Sequence, residues 1–216
     1  MQPHPWTPPL KRRTPPFAIL ALILFAAACT PAPDTASVTG TVVDTDTLAP
    51  LVGTSIVART AGTATVVASD TSDALGVFTL TPLNAGVYDV ELTHFGYAPQ
   101  TRANVTTLTG ATADLGTVGL APYAPSRLYG STASDEEFSM PLTGVRADAR
   151  IAGTSTVIAT GTTDEHGAFD LDPVPAGTYD VELSKTNYVT RLVEDVVAPP
   201  GGAANVGDLK LLPVAP

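Results

Sequence analysis

A single cysteine, Cys29, stands in the 216 residues, so the chain cannot close an internal disulfide. Lysine and arginine number 11 against 21 aspartates and glutamates, for a formal charge of −10. Phosphate backbones are gripped by Lys and Arg, so nucleic acid is excluded as a partner. Tryptophan occurs once, at Trp6, and histidine three times, at His4, His94 and His166. That scarcity leaves no His-Glu helical pair of the kind a metallopeptidase zinc site needs. It also leaves no Ser-His-Asp arrangement for nucleophilic catalysis. No metal site and no cofactor are expected. What the chain has in quantity is Gly (18), Pro (20) and many Ala, Val and Thr. That mixture suits short strands and tight turns better than long helices.

The amino terminus reads as a targeting segment. "KRR" at 11–13 is a basic region, and Phe17 to Ala28 is a run of twelve apolar residues. A membrane span needs about 20, so the run is too short for an anchor and suits a signal peptide. "AAAC" then closes on Cys29 and resembles a bacterial lipobox, with Ala26 where Leu is usual. The resemblance implies cleavage before Cys29 and lipidation of it, and Thr30 after it fits outer-membrane sorting in a Gram-negative cell. The alternative is a soluble exported protein cut at an ordinary site. Removing 1–28 takes three basic residues and no acid, so the remaining chain carries a formal −13. Anionic head groups repel such a body, so lipid on Cys29 has to hold it at the membrane.

The rest of the chain is written twice. Thr71–Tyr97 and Thr162–Tyr188 share 14 of 27 positions without a gap, with "AGVYDVEL" at the centre of one and "AGTYDVEL" of the other. The same offset of 91 relates Gly53 to Gly144, Gly62 to Gly153, Gly116 to Gly207 and Pro122 to Pro213, while Gly40 answers Gly130. A period this long fits two tandem domains better than a solenoid. The expected organisation is signal peptide 1–28, tether 29–36, first domain 37–121, a stiff linker 122–126 and second domain 127–216.

Each unit alternates with period two. Tyr88, Val90 and Leu92 face inward while Asp89 and Glu91 face water, and Tyr179, Val181 and Leu183 repeat the pattern. About seven short strands per unit predict an all-β fold of two antiparallel Greek-key sandwiches. "DALG" and "DEHG" predict type I turns with Asp73 or Asp164 first and Gly76 or Gly167 last. Gly86 and Gly177 are read as meeting the same need for positive φ. Gly96 and Asn187 correspond, and both tolerate the left-handed conformation.

These residues resemble the carboxypeptidase regulatory-like family, whose domains have a transthyretin-like sandwich. Asp73, Gly76, Phe78, Leu80, Leu83, Gly86, Tyr88 and Val90 carry the pattern in one copy. Asp164, Gly167, Phe169, Leu171, Val174, Gly177, Tyr179 and Val181 carry it in the other. The resemblance implies a fold and little about task, since such domains accompany many activities. The only lysines after Cys29 are Lys185 and Lys210, and neither first strand has one. A Lys–Asn isopeptide bond of the adhesin type is therefore unavailable in its usual place.

The expected function is a non-enzymatic, lipid-anchored envelope protein acting as a binding or structural module. The alternative is a carbohydrate- or peptide-binding accessory of a surface hydrolase or uptake system. Partners are the membrane, through Cys29, and a protein, peptide or glycan. Binding surfaces favour aromatics, and Phe95, Tyr123, Tyr129 and Phe138 have no aromatic counterpart in the other copy, which makes them the candidate ligand residues. Phe138 and Met140 either tuck into the sandwich edge, the favoured reading, or face a partner. His94 and His166 are read as surface-loop residues. Asp44 and Asp46, and Asp135 to Glu137, are read as solvated loop charge, with a weak cation site as the alternative. The first strand of copy one is expected to run longer than that of copy two.

Overall fold

The computed structural model describes residues 35–135 and 139–214. Cys29, the basic and apolar segments before it, and Phe138 lie outside these residues. The first sandwich has seven strands: β1 (Ala36–Asp44), β2 (Ser55–Thr60), β3 (Val66–Thr71), β4 (Val77–Leu83), β5 (Gly86–Thr93), β6 (Gln100–Thr107) and β7 (Thr112–Leu120). The second repeats them: β8 (Ser126–Ser134), β9 (Arg146–Ile151), β10 (Val157–Thr162), β11 (Ala168–Val174), β12 (Gly177–Ser184), β13 (Arg191–Ala198) and β14 (Ala203–Leu211). β1 and β8 are both nine residues long, so the expected difference in length is absent.

In each sandwich a three-stranded sheet, β4-β1-β7 or β11-β8-β14, faces a four-stranded one, β3-β2-β5-β6 or β10-β9-β12-β13. The pairings are antiparallel except β1 with β7 and β8 with β14, which run parallel. Two separate cores result. Val38, Phe78, Leu80, Tyr88, Val90 and Leu92 belong to one, and Leu128, Phe169, Leu171, Tyr179, Val181 and Leu183 to the other. Alternation carries every second residue of β1 and β5 inward, and burying such side chains contributes about 1.5–3 kcal/mol each.

The recurrence of Gly40 and Gly130 has a packing cause. A Cβ at Gly40 would lie 2.9 Å from the Phe78 ring, and one at Gly130 would lie 2.8 Å from that of Phe169. Each strand therefore gives up a side chain so that the core phenylalanine can cross it. At the turns, Asp73 Oδ1 accepts from the Leu75 and Val77 amides, and Asp164 Oδ1 from those of His166 and Ala168, all at 2.8–2.9 Å. Gly76 and Gly167 close them at φ 75° and 74°.

The aspartate of the repeated octapeptide does more than face water. Asp89 accepts from the Gly62 and Asn104 amides, both at 3.0 Å. Asp180 accepts from Gly153 and Asp195 at 2.8 and 3.1 Å. One carboxylate thus ties two neighbouring segments to the central strand. Donation from the Gly62 amide, then from Asn104, holds the Asp89 carboxyl below its ordinary pKa. Glu91 and Glu182 pair with Arg59 and Arg150 at 3.3 and 2.8 Å.

Candidate functional site

The two sandwiches meet through more than their linker. The turn after β5 carries His94, Phe95, Gly96 and Tyr97, closed by the Tyr97 amide on the His94 carbonyl at 3.1 Å. It presents Phe95 to the second sandwich. The ring lies edge-on to Tyr179, with centroids 5.5 Å apart and planes at 89°, and packs against the second core. Gly177 is the reason it fits, since a Cβ there would overlap the Phe95 ring. Gly177 and Gly86 do not adopt positive φ. The expectation of a turn need at these positions is replaced by one of close approach. Gly96, at φ 83°, has room for no side chain either, as a Cβ would come within 3.0 Å of Pro175. The contact is fixed further by the Tyr123 amide on the Gly96 carbonyl at 2.8 Å. Tyr179 donates its hydroxyl to the Pro175 carbonyl at 2.6 Å, and burial pushes its pKa up to about 12.

Beside this clamp runs a groove of about 270 Å³, lined by the Phe95–Tyr97 turn, linker residues Pro122, Tyr123 and Pro125, and Pro173–Pro175. The structure therefore brings two of the four candidate aromatics, Phe95 and Tyr123, to one place. Phe95 is half-buried between the sandwiches, while Tyr123 is 38% exposed. Tyr129 sits elsewhere, on the three-stranded sheet of the second sandwich. Arg127 stacks over its ring at 5.4 Å and holds Asp170 with two bonds of 2.7 Å. Met140, neighbour of Phe138 in sequence, is 63% exposed, so it is not tucked into the edge as expected.

Tyr97 belongs to a second cluster, which pattern reading missed. Its hydroxyl donates to Asp44 Oδ2 at 2.7 Å, while Asp44 Oδ1 accepts from the Asp46 and Thr47 amides at 2.7 and 2.8 Å. Asp44 is 7% exposed, not solvated loop charge. These bonds, the Thr47 amide first, hold its carboxyl below the ordinary value. Burial, then the bond to Asp44, pushes the Tyr97 hydroxyl up to about 12. The signal for Asp44 was present: it is the fifth inward position of an alternating strand. His94 stands against the same ring at 5.1 Å and bonds Thr54 Oγ1 through Nδ1 at 3.1 Å. It lies in the turn after β5 but is half-buried there rather than on the surface, and desolvation lowers its pKa. His166 is exposed, its side chain 78% accessible. Among the described residues no group of three or more His, Cys, Asp and Glu is placed to hold a metal ion.

Residues 37–121, the first sandwich, match the model of the carboxypeptidase regulatory-like domain. No curated protein matches the chain. Among solved structures the chain is similar to GBS52, the minor pilin of Streptococcus agalactiae, at 11% identity and a TM-score of 0.45, over 84% of this chain and 98% of that one. It is similar to a streptococcal ancillary pilin at 14% identity and a TM-score of 0.41, over 83% of this chain and 62% of that one. The shaft pilin SpaA of Lactobacillus rhamnosus GG is similar at 15% identity and a TM-score of 0.35, over 85% and 98% of the two chains.

Proposed function

We propose, from a first sandwich that matches the carboxypeptidase regulatory-like domain and a second that repeats its pattern, a non-enzymatic envelope protein that serves as a lipid-anchored spacer. The observation that carries this reading is the Phe95 clamp. A linker of a few residues would leave two sandwiches free to swing, and inter-domain motion is the default where the interface is weak. Here a half-buried ring spans the junction against Tyr179 and Gly177, and both sandwiches fall in one compact unit. A stiff pair of domains on a short tether holds whatever lies beyond it at a set distance from the membrane. The anchor in this reading is Cys29, supported by "KRR", the twelve-residue apolar run and "AAAC". The location is the cell envelope, at the outer membrane if the cell is Gram-negative.

Lipidation is tested in the native host. Cys29→Ala should move the protein from the membrane fraction to the soluble one, and intact mass of the native protein should exceed that of the chain from Cys29 onward by its acyl groups. An unmodified Cys29 in membrane-bound protein contradicts the anchor. The second reading, binding of a peptide or glycan, is favoured by the groove beside the clamp, where Tyr123 is exposed among four prolines. A glycan and peptide array with the native protein and Tyr123→Ala separates the two readings. Reproducible binding that Tyr123→Ala abolishes would turn the spacer into a receptor.

A further inference from the structure

The surface that Phe95 fills on the second sandwich exists a second time. Beside the seated ring, Pro125, Pro173, Val174 and Pro175 line the groove that Phe95 also borders, and the corresponding residues of the first sandwich are Thr35, Pro82, Leu83 and Asn84. These four also line a cavity, of about 250 Å³, completed by Val67 and Tyr88. The floor is the same in both. Tyr88 donates its hydroxyl to the Asn84 carbonyl at 3.0 Å, as Tyr179 does to that of Pro175. Gly86 stands where Gly177 makes room for a ring, and among the described residues no ring from another segment packs there; the atoms nearest a Cβ at Gly86 are those of the Tyr88 ring. Where the socket is filled, Tyr179 and Ala176 are 0% and 3% exposed. Where it is open, Tyr88 is 7% exposed and Ala85, the counterpart of Ala176, lies in solvent.

We propose that this open socket, at the end of the first sandwich where the chain enters, is a binding site for an aromatic residue followed by glycine on a tight turn of a partner protein. The occupant is read from the molecule, since Phe95-Gly96 is the group seated in the filled socket. Both features are needed there: a flat ring to lie over the glycine and against the tyrosine, and no side chain on the next residue, which meets the wall. The chain does not supply such a turn to another copy of itself. The free end of the second sandwich keeps the turn's backbone, with the Tyr188 amide on the Lys185 carbonyl at 3.1 Å and Asn187 at φ 68°. It carries Thr186-Asn187 where the first has Phe95-Gly96. A heterologous contact of this kind would otherwise propagate into open chains of copies, and loss of the knob at the second sandwich ends the series at two. This inference rests on the seated Phe95 and not on the lipid anchor or the spacer role.

The missing knob supplies the probe. Unlabelled protein carrying Thr186→Phe and Asn187→Gly is titrated into ¹⁵N-labelled Cys29→Ser protein, followed by amide shifts. A covalent linker that raises the local concentration to millimolar is absent here, so the titration runs to about 1 mM. Concentration-dependent shifts are expected at Asn84, Gly86, Val67 and Tyr88, and unlabelled protein without the two substitutions should produce none of them. Labelled protein with Val67→Arg, changed at an exposed socket position outside the buried core, should lose the response while keeping its own spectrum. No shift at Asn84 and Gly86 up to the final concentration overturns the proposal. So does a response that Val67→Arg leaves intact, which would place the contact on another surface.

Discussion

The two sandwiches share a core almost residue for residue and differ at their ends. In the second, Tyr179 lies under the ring of Phe95 and is sealed. In the first, Tyr88 makes the same bond to its own loop but has no ring above it among the described residues, and a cavity remains. At the opposite end the inequality reverses. The first sandwich ties its β5–β6 turn back to β1 through Tyr97 and Asp44. The second has Ser134 in place of Asp44, and Ser134 Oγ is buried without a partner among the described residues. The duplicated domain thus kept its interior and changed where copies meet. Two ties gather around the junction: the clamp on one side, and on the other the Asp44–Tyr97 bond that holds the turn bearing Phe95.

The largest effect on this comparison should come from Tyr179→Ala. Deleting a sealed aromatic costs about 3–5 kcal/mol, and here it removes the floor of the clamp as well. Tyr88→Ala should cost less, by the missing ring pair at about 0.5–1.5 kcal/mol. Urea denaturation of both variants checks the order, and equal losses would mean that Phe95 adds nothing to Tyr179. Phe95→Ala comes next. It forfeits a part of the about 1.5–3 kcal/mol that full burial of such a ring contributes, and calorimetry should show the second sandwich melting earlier while the first holds, although the substituted residue belongs to the first. A loss confined to the first sandwich would place the ring in the wrong core.

Smaller again is Tyr97→Phe, which leaves Asp44 without its hydroxyl donor. It should lower the melting temperature of the first sandwich, whereas Tyr188→Phe, whose hydroxyl has no carboxylate partner among the described residues, should leave the second nearly unchanged. The smallest is a pH effect at the same turn. Desolvation depresses His94 from 6.5, so the unfolded chain binds the proton more readily than the folded one. The stability that follows is present above about pH 6.5 and lost as pH falls through the folded value. A urea midpoint that drops between about pH 7.5 and 5.5 in the native protein, and drops less in His94→Gln, is the expected result. Asp44 is depressed too, from 3.8, so its stabilisation is lost only as pH falls below that value, and its window opens at lower pH than that of His94.

Much of this fold was legible in the sequence because it rests on local rules stated twice. The alternation of β5 and β12, the Asp73 and Asp164 turns and the seven-strand count follow from period two and turn chemistry. The repetition then confirmed each reading against its copy. What escaped is what depends on distant partners. Gly177 reads as a turn glycine, because nothing local says that a ring from elsewhere needs its space. Asp44 read as loop charge, because its partner Tyr97 lies 53 positions away. Phe95 reads as a candidate ligand residue because it is unrepeated, and sequence alone does not say that its ring packs on the neighbouring sandwich. Repeats announce what two domains share. The residues that join them are by necessity among those that do not repeat.

The central claim is that Phe95 locks the two sandwiches together. Spin labels at Val66→Cys and Val157→Cys, corresponding exposed positions on β3 and β10, read the distance between sandwiches once Cys29 is replaced. A single narrow distance distribution is expected with Phe95 in place, broadening in Phe95→Ala. A distribution already as broad in the unsubstituted protein as in Phe95→Ala would contradict the clamp, and with it the spacer.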